Sequence, residues 1–270
     1  MVDVIPVFPK AGSIFVYTGN IVNWNRLKRK PTQSSTEELK ECITETLSKY
    51  LSVSDAKELQ YTTDLVCVNS GFKESLPADE RGDLKVTAKL LFCVDQPVEV
   101  ITEAVEKVLT DLDISFIETL LLAFPEMQEK IDVDQIRPYW EVLEDLVAQE
   151  RVLSIGTCDL DKGSLEELYE WAKVKPCTNQ VNLASCCVMP QDLTEFAKAN
   201  DIQLLTHSDP PEFMPADVLQ EAIKSCTTEK DSFGWIPQWA LRYSVIVKCR
   251  GIIRNKGYIF KAERNIKKRY

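Results

Sequence analysis

VLSIGTCDLDKGSLEELYEWAKVKPCTNQVNLASCCVMPQDLTEFAKANDIQLLTHSDP, residues Val152 to Pro210, decides the fold. It alternates short apolar runs with amphipathic segments. Strands are predicted at Val152–Thr157, Asn179–Ala184 and Ile202–His207, each bounded by Gly, Pro, Asn or Asp. Between the first two, Ser164 followed by Glu167 has the capping-box pattern, and Leu165, Leu168, Trp171 and Ala172 fall on one helical face. A second helix is predicted over Asp192–Asn200. Strand, helix, strand, helix, strand is the signature of a parallel sheet covered by its crossover helices.

Working outward, the same alternation continues. Further strands are expected at Ser13–Thr18, Asp64–Asn69, Lys85–Cys93, Phe116–Ala123 and Ser244–Cys249. Helices are expected after Ser35, whose partner Glu38 repeats the capping box, and over Val98–Leu112, Val133–Gln149, Ala216–Ser225 and Pro237–Tyr243. Eight strands, each followed by a helix or a long loop, make an α/β protein with the arithmetic of a (β/α)8 TIM barrel. Periodicity leaves a doubly wound open sheet as the alternative. No Gly/Ser-rich linker divides the chain, so one domain over residues 1–270 is expected, with a basic C-terminal extension from about residue 250 to 270.

Charge and rare residues narrow the function. The 270 residues carry 42 acids against 32 bases, a net charge of −10, which argues against coating nucleic acid. From Arg242 to the C-terminus, however, there are ten Lys or Arg and one acid, Glu263. An acidic body with a basic end is a first clue to partners. Nine scattered cysteines without a secretory signal suit reduced thiols in a cytosol. No apolar run is long enough for a membrane span. The one histidine, His207, excludes HExxH zinc chemistry, and no Cys-x-x-Cys pair is available for a structural zinc. GxGxxG and GxxxxGK[ST] are both missing.

Barrel enzymes work at the C-terminal ends of their strands, and there a resemblance appears. Val152–Pro210 resembles strands five to seven of the aldo-keto reductases, ERGDLKVTAKL at Glu80–Leu90 their third strand, and WALRYSVIVK at Trp239–Lys248 their last helix and strand. The family implies a tyrosine acid, an aspartate and a lysine that tune it, and a histidine that orients the carbonyl. Lys89 falls at the lysine position, whereas Ala123 fills that of the histidine, and DLVCVNSGF (Asp64–Phe72) offers no aspartate and tyrosine in the family spacing. Reduction by that mechanism then lacks a proton source. Around the nicotinamide, the family serine and asparagine become Cys158 and Asp159, Gln180 remains, and His207 replaces the stacking tyrosine. Lys248 matches the lysine of the phosphate site. The expectation is no catalytic residue, Lys89 being vestigial, no metal and no cofactor, with a residual NADPH site left open.

A second resemblance accounts for these departures. TGNIVNWNRLKRK (Thr18–Lys30), IRPYWEVLEDLV (Ile136–Val147), KPCTNQVNLASCCVMPQDLTEFAK (Lys175–Lys198) and LRYSVIVKCRGIIRNKGYI (Leu241–Ile259) are similar to the regulatory, or modifier, subunits of glutamate–cysteine ligase. That family implies a non-catalytic cytosolic chain in glutathione biosynthesis. It binds the catalytic subunit as a heterodimer, improves its use of glutamate and relieves feedback inhibition by glutathione. Contact candidates are Arg26, Lys28, Arg29 and Lys30 after strand one, and Lys248, Arg250, Arg254 and Lys256 after strand eight, neighbours if a barrel closes. Cys186, Cys187 and Cys249 are candidates for an intersubunit disulfide, and Trp235 and Trp239 for interface anchors. The plainer readings are a solvated basic terminus or a relic phosphate site, buried thiols, and tryptophans that pack the core. The rival functions are an NADPH-dependent oxidoreductase using His207 near Lys89, and an NADPH-sensing module.

Overall fold

A computed structural model describes residues 8–24, 34–59, 61–125, 132–182 and 188–265. The strands are β1 (Ser13–Tyr17), β2 (Asp64–Val68), β3 (Leu84–Phe92), β4 (Ile117–Ala123), β5 (Val152–Cys158), β6 (Thr178–Asn182), β7 (Gln203–His207), β8 (Trp235–Val247) and β9 (Ile252–Arg264). The helices are α1 (Ser35–Val53), α2 (Ala56–Leu59), α3 (Glu99–Leu112), α4 (Val133–Ala148), α5 (Lys162–Trp171), α6 (Gln191–Ala199), α7 (Ala216–Cys226) and α8 (Glu229–Ser232). Short 3-10 turns lie at Ile21–Asn23 and Arg81–Asp83. Both expected capping positions move slightly. Ser34 rather than Ser35 accepts a hydrogen bond from Glu37 N at the start of α1, and Asp161 caps α5 by accepting from Ser164 N.

All nine strands join one sheet in the order β2-β1-β9-β8-β3-β4-β5-β6-β7. The pairs from β3 through β7 and the pair β1–β2 are parallel, while β1–β9, β9–β8 and β8–β3 are antiparallel. Alternation along each strand sends side chains to two cores. Leu90, Leu122, Ile155 and Tyr243 pack under α3 to α6, with Val105, Trp140 and Leu168. Val16, Leu65, Leu91, Ala240 and Phe260 pack under α1 and α7, with Leu39, Leu47, Leu219 and Ile223. The α/β class read from the sequence stands, and its β/α repeat is regular from β3 to β7.

The C-terminal quarter differs from expectation. Pro237–Tyr243, predicted as a helix, is strand, continuous with the expected strand Ser244–Cys249, and the residues after 251 add β9. Period two explains it: Trp239, Leu241, Tyr243 and Val245 enter one core, and Ala240 with Arg242 faces the other. Pro237 is tolerated because the ladder shifts register between Pro237 and Trp239. β9 therefore separates β1 from β8, and the later basic run divides between the β8–β9 turn, with Lys248 and Arg250, and β9 beside β1, with Arg254 and Lys256. Trp235 and Trp239 are corrected as well. Both are fully buried, one in each core, because a two-sided sheet at the centre of the molecule encloses them, and neither presents a surface to a partner. Gly257 on β9 permits a close approach: a Cβ there would lie 2.4 Å from Gly19 O and 2.4 Å from the Tyr243 hydroxyl.

Candidate functional site

The antiparallel pairing of β3 with β8 sets Arg242 directly across from Lys89, on the face that α1 and α7 cover. Two cations directly opposite on a sheet repel, and more strongly away from water. The loop after β7 resolves the conflict by bringing Asp209 over them. Its carboxylate accepts from Arg242 through two parallel bonds of 2.6 and 2.8 Å, and from Lys89 Nζ at 2.9 Å. Lys89 Nζ also donates to Gln180 Oε1 at 2.8 Å. The Lys89 side chain is 5% exposed and that of Asp209 7%, so the ion pair is a buried one. Burial opposes ionisation of Asp209, but His207, Arg242 and Lys89 outweigh it and hold the carboxyl well below the usual range.

His207 joins a second carboxylate to the cluster. Its Nε2 lies 3.0 Å from both oxygens of Asp159, and its Nδ1 accepts from Asp209 N at 3.2 Å, with Asp209 Oδ2 at 3.4 Å. In the neutral ring, Nε2–H points to Asp159; a second proton on Nδ1 would turn to Asp209. Burial works against the charged ring, yet the two carboxylates prevail and raise its pKa. Asp159, at φ +61°, also accepts from Asn182 N at 2.7 Å, and Asn182 Nδ2 donates to Asp209 O at 2.9 Å. Cys158 lies beneath; burial pushes its thiol up to about 12 despite Lys89 nearby. On the far side, Tyr258, the register partner of Arg242 on β9, donates to Glu38 Oε1 at 2.6 Å, and Lys256 meets the same oxygen at 2.6 Å.

General acid catalysis needs a proton donor within reach of the substrate and with a pKa near the working pH. Tyr258 fails on both counts: it is fully buried, burial raises its pKa well above the ordinary value, and its proton is given to Glu38. His207 does share Asp209 with Lys89, but both ring nitrogens are engaged within the cluster. The nicotinamide subsite is a poor fit too. Gln180 Oε1 is taken by Lys89, Asp159 presents a carboxylate already bonded to His207 and Asn182, and Cys158 is buried. No step through NADPH follows from these residues. Among the described residues no group of His, Cys, Asp and Glu could hold a metal ion.

Of the residues singled out from the sequence, Lys89, Gln180 and His207 come together. Lys248 does not; at the turn between β8 and β9 it donates to Gly82 O at 2.8 Å. Cys249 and Arg250 are exposed in that turn, Arg254 is ion-paired with Glu80, and Lys256 with Glu38. Cys186, Cys187, Arg26, Lys28, Arg29 and Lys30 lie outside the described residues. The chain leading to that basic run nevertheless passes β9: Asn20 Nδ2 donates to Arg254 O at 3.3 Å, and Asn20 Oδ1 accepts from Lys256 N at 3.3 Å. Sequence reasoning missed Asp209 and Arg242. Arg242, an arginine at an inward position between Leu241 and Tyr243, required a carboxylate partner and was the available signal.

Residues 67–209 match the model of the aldo/keto reductase family, which defines the class of fold. Over 258 residues the chain is 43% identical to the glutamate–cysteine ligase regulatory subunit of Mus musculus, covering 94% of each chain, and 43% identical to that of Homo sapiens over the same share. Among solved structures, the aldose reductase of Giardia lamblia is 19% identical, covers 64% of this chain and 54% of its own, and superposes with a TM-score of 0.37, too slight for its geometry to be carried over. The chain belongs to the family of glutamate–cysteine ligase regulatory subunits, within the aldo/keto reductase class.

Proposed function

We propose that this chain is the non-catalytic regulatory subunit of glutamate–cysteine ligase. It forms a heterodimer with the catalytic subunit, improves that subunit's use of glutamate and relieves its inhibition by glutathione. The observation that carries the reading is 43% identity over 94% of the chain to regulatory subunits. The site supports it from another side: Lys89, at the position of the family lysine, is spent on Asp209 and Gln180, with no acid among the described residues beside it free to protonate a carbonyl. Regulation of this kind is a coupling free energy, so the chain must bind the glutamate-competent state of its partner more tightly than the inhibited state.

The same reading holds that the chain carries no nicotinamide cofactor and works in the cytosol. Seven free cysteines among the described residues are in keeping with a reducing compartment, and no described helix is long and apolar enough to cross a membrane. Under oxidation, a disulfide to the catalytic subunit would run from Cys249, the exposed one of those seven, or from Cys186 or Cys187. Each thiol would give up one proton and one electron to oxidised glutathione, which leaves as two thiols. The test is co-expression with a catalytic subunit, size exclusion, and glutamate dependence with and without this chain. Co-elution and a lower glutamate requirement are expected. Separate elution with unchanged kinetics would overturn the proposal, and a saturable fluorescence change on NADPH titration would overturn the cofactor statement.

A further inference from the structure

The β8–β9 hairpin ends in a tip that the other described residues leave exposed. Its turn is closed by Gly251 N and Arg250 N, which donate to Val247 O at 2.8 and 3.2 Å, and Gly251 has φ +62°. The base of the turn is fixed to the body: Lys248 N donates to Asp83 O at 2.9 Å, and its Nζ to Gly82 O. Ile252 and Ile253 follow at once, 56% and 47% exposed. Consecutive strand residues point to opposite faces, so the tip is apolar on both. An exposed apolar pair held on a fixed turn is a candidate for a contact site when charge beside it points the same way.

Charge identifies what the tip fits. Along β8 and β9 the other cations are satisfied inside the chain: Arg242 by Asp209, Arg254 by Glu80, Lys256 by Glu38, Lys261 by Glu103 and Glu263, and Arg264 by the carbonyls of Phe233 and Lys230. Arg250 has no ion pair among the described residues, and Lys248 lies 3.9 Å from the nearest carboxylate oxygen, on Glu118. The charged groups around the tip are Arg81, Asp83, Lys85 and Glu118, of which Arg81 and Glu118 are paired with each other. On a chain of net charge −10, the tip therefore keeps uncompensated positive charge beside two bare isoleucines.

We infer that the β8–β9 tip docks into the catalytic subunit, with Ile252 and Ile253 entering an apolar depression and Arg250 meeting carboxylates at its rim. This rests on the regulatory-subunit reading and names the surface through which it acts. The pattern is an apolar anchor with a charged rim, in which the anchor sets the lifetime of the complex and the charge its rate of formation.

The experiment measures the affinity of the full chain for purified catalytic subunit at low and high salt, for the unsubstituted protein, I252T/I253T, R250E, and a control pair, V53T/Y61T, which alters exposed apolar residues outside the hairpin. Threonine keeps strand propensity. I252T/I253T is expected to weaken binding about 100-fold, from two anchors at about tenfold each, and R250E about tenfold at low salt with less effect at high salt. V53T/Y61T should bind as the unsubstituted chain does. If I252T/I253T lowers the thermal midpoint, R250E, placed in the turn, carries the test. Tip variants that bind within about twofold of the unsubstituted chain, or a control that loses as much, overturn the docking site while the function stands. An unsubstituted chain that fails to bind overturns the function and the docking site together.

Discussion

Replacing Asp209 by asparagine tests whether one carboxylate holds two cations in the sheet, Lys89 buried and Arg242 partly so. The amide keeps the shape of the side chain but carries no charge, so Lys89 and Arg242 would face each other across β3 and β8 without compensation. Removing one partner of a buried ion pair costs about 3–5 kcal/mol. For a domain of this size each kcal/mol moves the thermal midpoint by about 2 °C, so a fall of about 6–10 °C is expected by calorimetry at pH 7. The K89M substitution supplies the diagnostic. In the unsubstituted background it leaves the two-bond Asp209–Arg242 pair intact and costs little. In the D209N background it removes an uncompensated cation and raises stability, so its effect changes sign. Asp209 has a depressed pKa in the fold, so its contribution is full above the unfolded value of about 3.9 and is lost as pH falls toward the folded value. The gap between the unsubstituted chain and D209N should therefore hold from about pH 8 to 5 and narrow below about pH 4. A D209N cost under about 1 kcal/mol, or K89M effects equal in both backgrounds within about 0.5 kcal/mol, would refute the reasoning.

His207 gives the opposite pH dependence. Its pKa is raised in the fold, so its charged form stabilises fully below the unfolded value of about 6.5 and that contribution is lost as pH rises through the folded value. The urea midpoint of H207Q should trail that of the unsubstituted chain more at pH 5.5 than at pH 8.5, and a gap that widens toward high pH would show the two carboxylates do not govern the ring. G257A should cost about 1–3 kcal/mol in urea unfolding, because the added methyl meets a backbone carbonyl and a buried tyrosine hydroxyl; a neutral result would mean that β9 moves away from Gly19 without penalty.

The parallel half of the sheet was legible because each strand there is a short apolar run separated from the next by a capped helix. Val152–Thr157 and Ile202–His207 agree with β5 and β7 to within one residue at each end. The helix expected at Pro237–Tyr243 is strand instead, because Trp239, Leu241, Tyr243 and Val245 alternate with period two, a pattern too short there to separate from a helical one until its continuation is included. Lys89 could be expected to pair with a carboxylate, but which one depended on contacts far apart in sequence. Asp209 is 120 residues from Lys89 and 33 from Arg242, and only the antiparallel insertion of β8 beside β3 brings all three together. The tryptophans show the same dependence on topology. Their composition fits either an interface or a core, and the central position of β8 makes them core.

That insertion also changes what the old barrel mouth can do electrostatically. A lysine can depress the pKa of a neighbouring acid, or attract a phosphate, only if its charge is not already neutralised. Here Lys89 and Arg242 are opposed by Asp209 and Asp159, and the adjoining Lys256 by Glu38, so with His207 neutral the cluster carries no net charge. A cluster without net charge, buried at Lys89, Asp209 and His207, offers little field to a carbonyl or to a dinucleotide, whatever residue types it contains. Uncompensated charge and bare apolar surface meet instead at the β8–β9 tip, on the same two strands whose insertion neutralised the interior. The placement of β8 and β9 thus accounts both for a cluster whose charges are paired within the chain and for an exposed tip. A partner can be regulated through such an element only if its two states present different surfaces to it, so the kinetic effect of this chain should be lost in step with affinity in the tip variants.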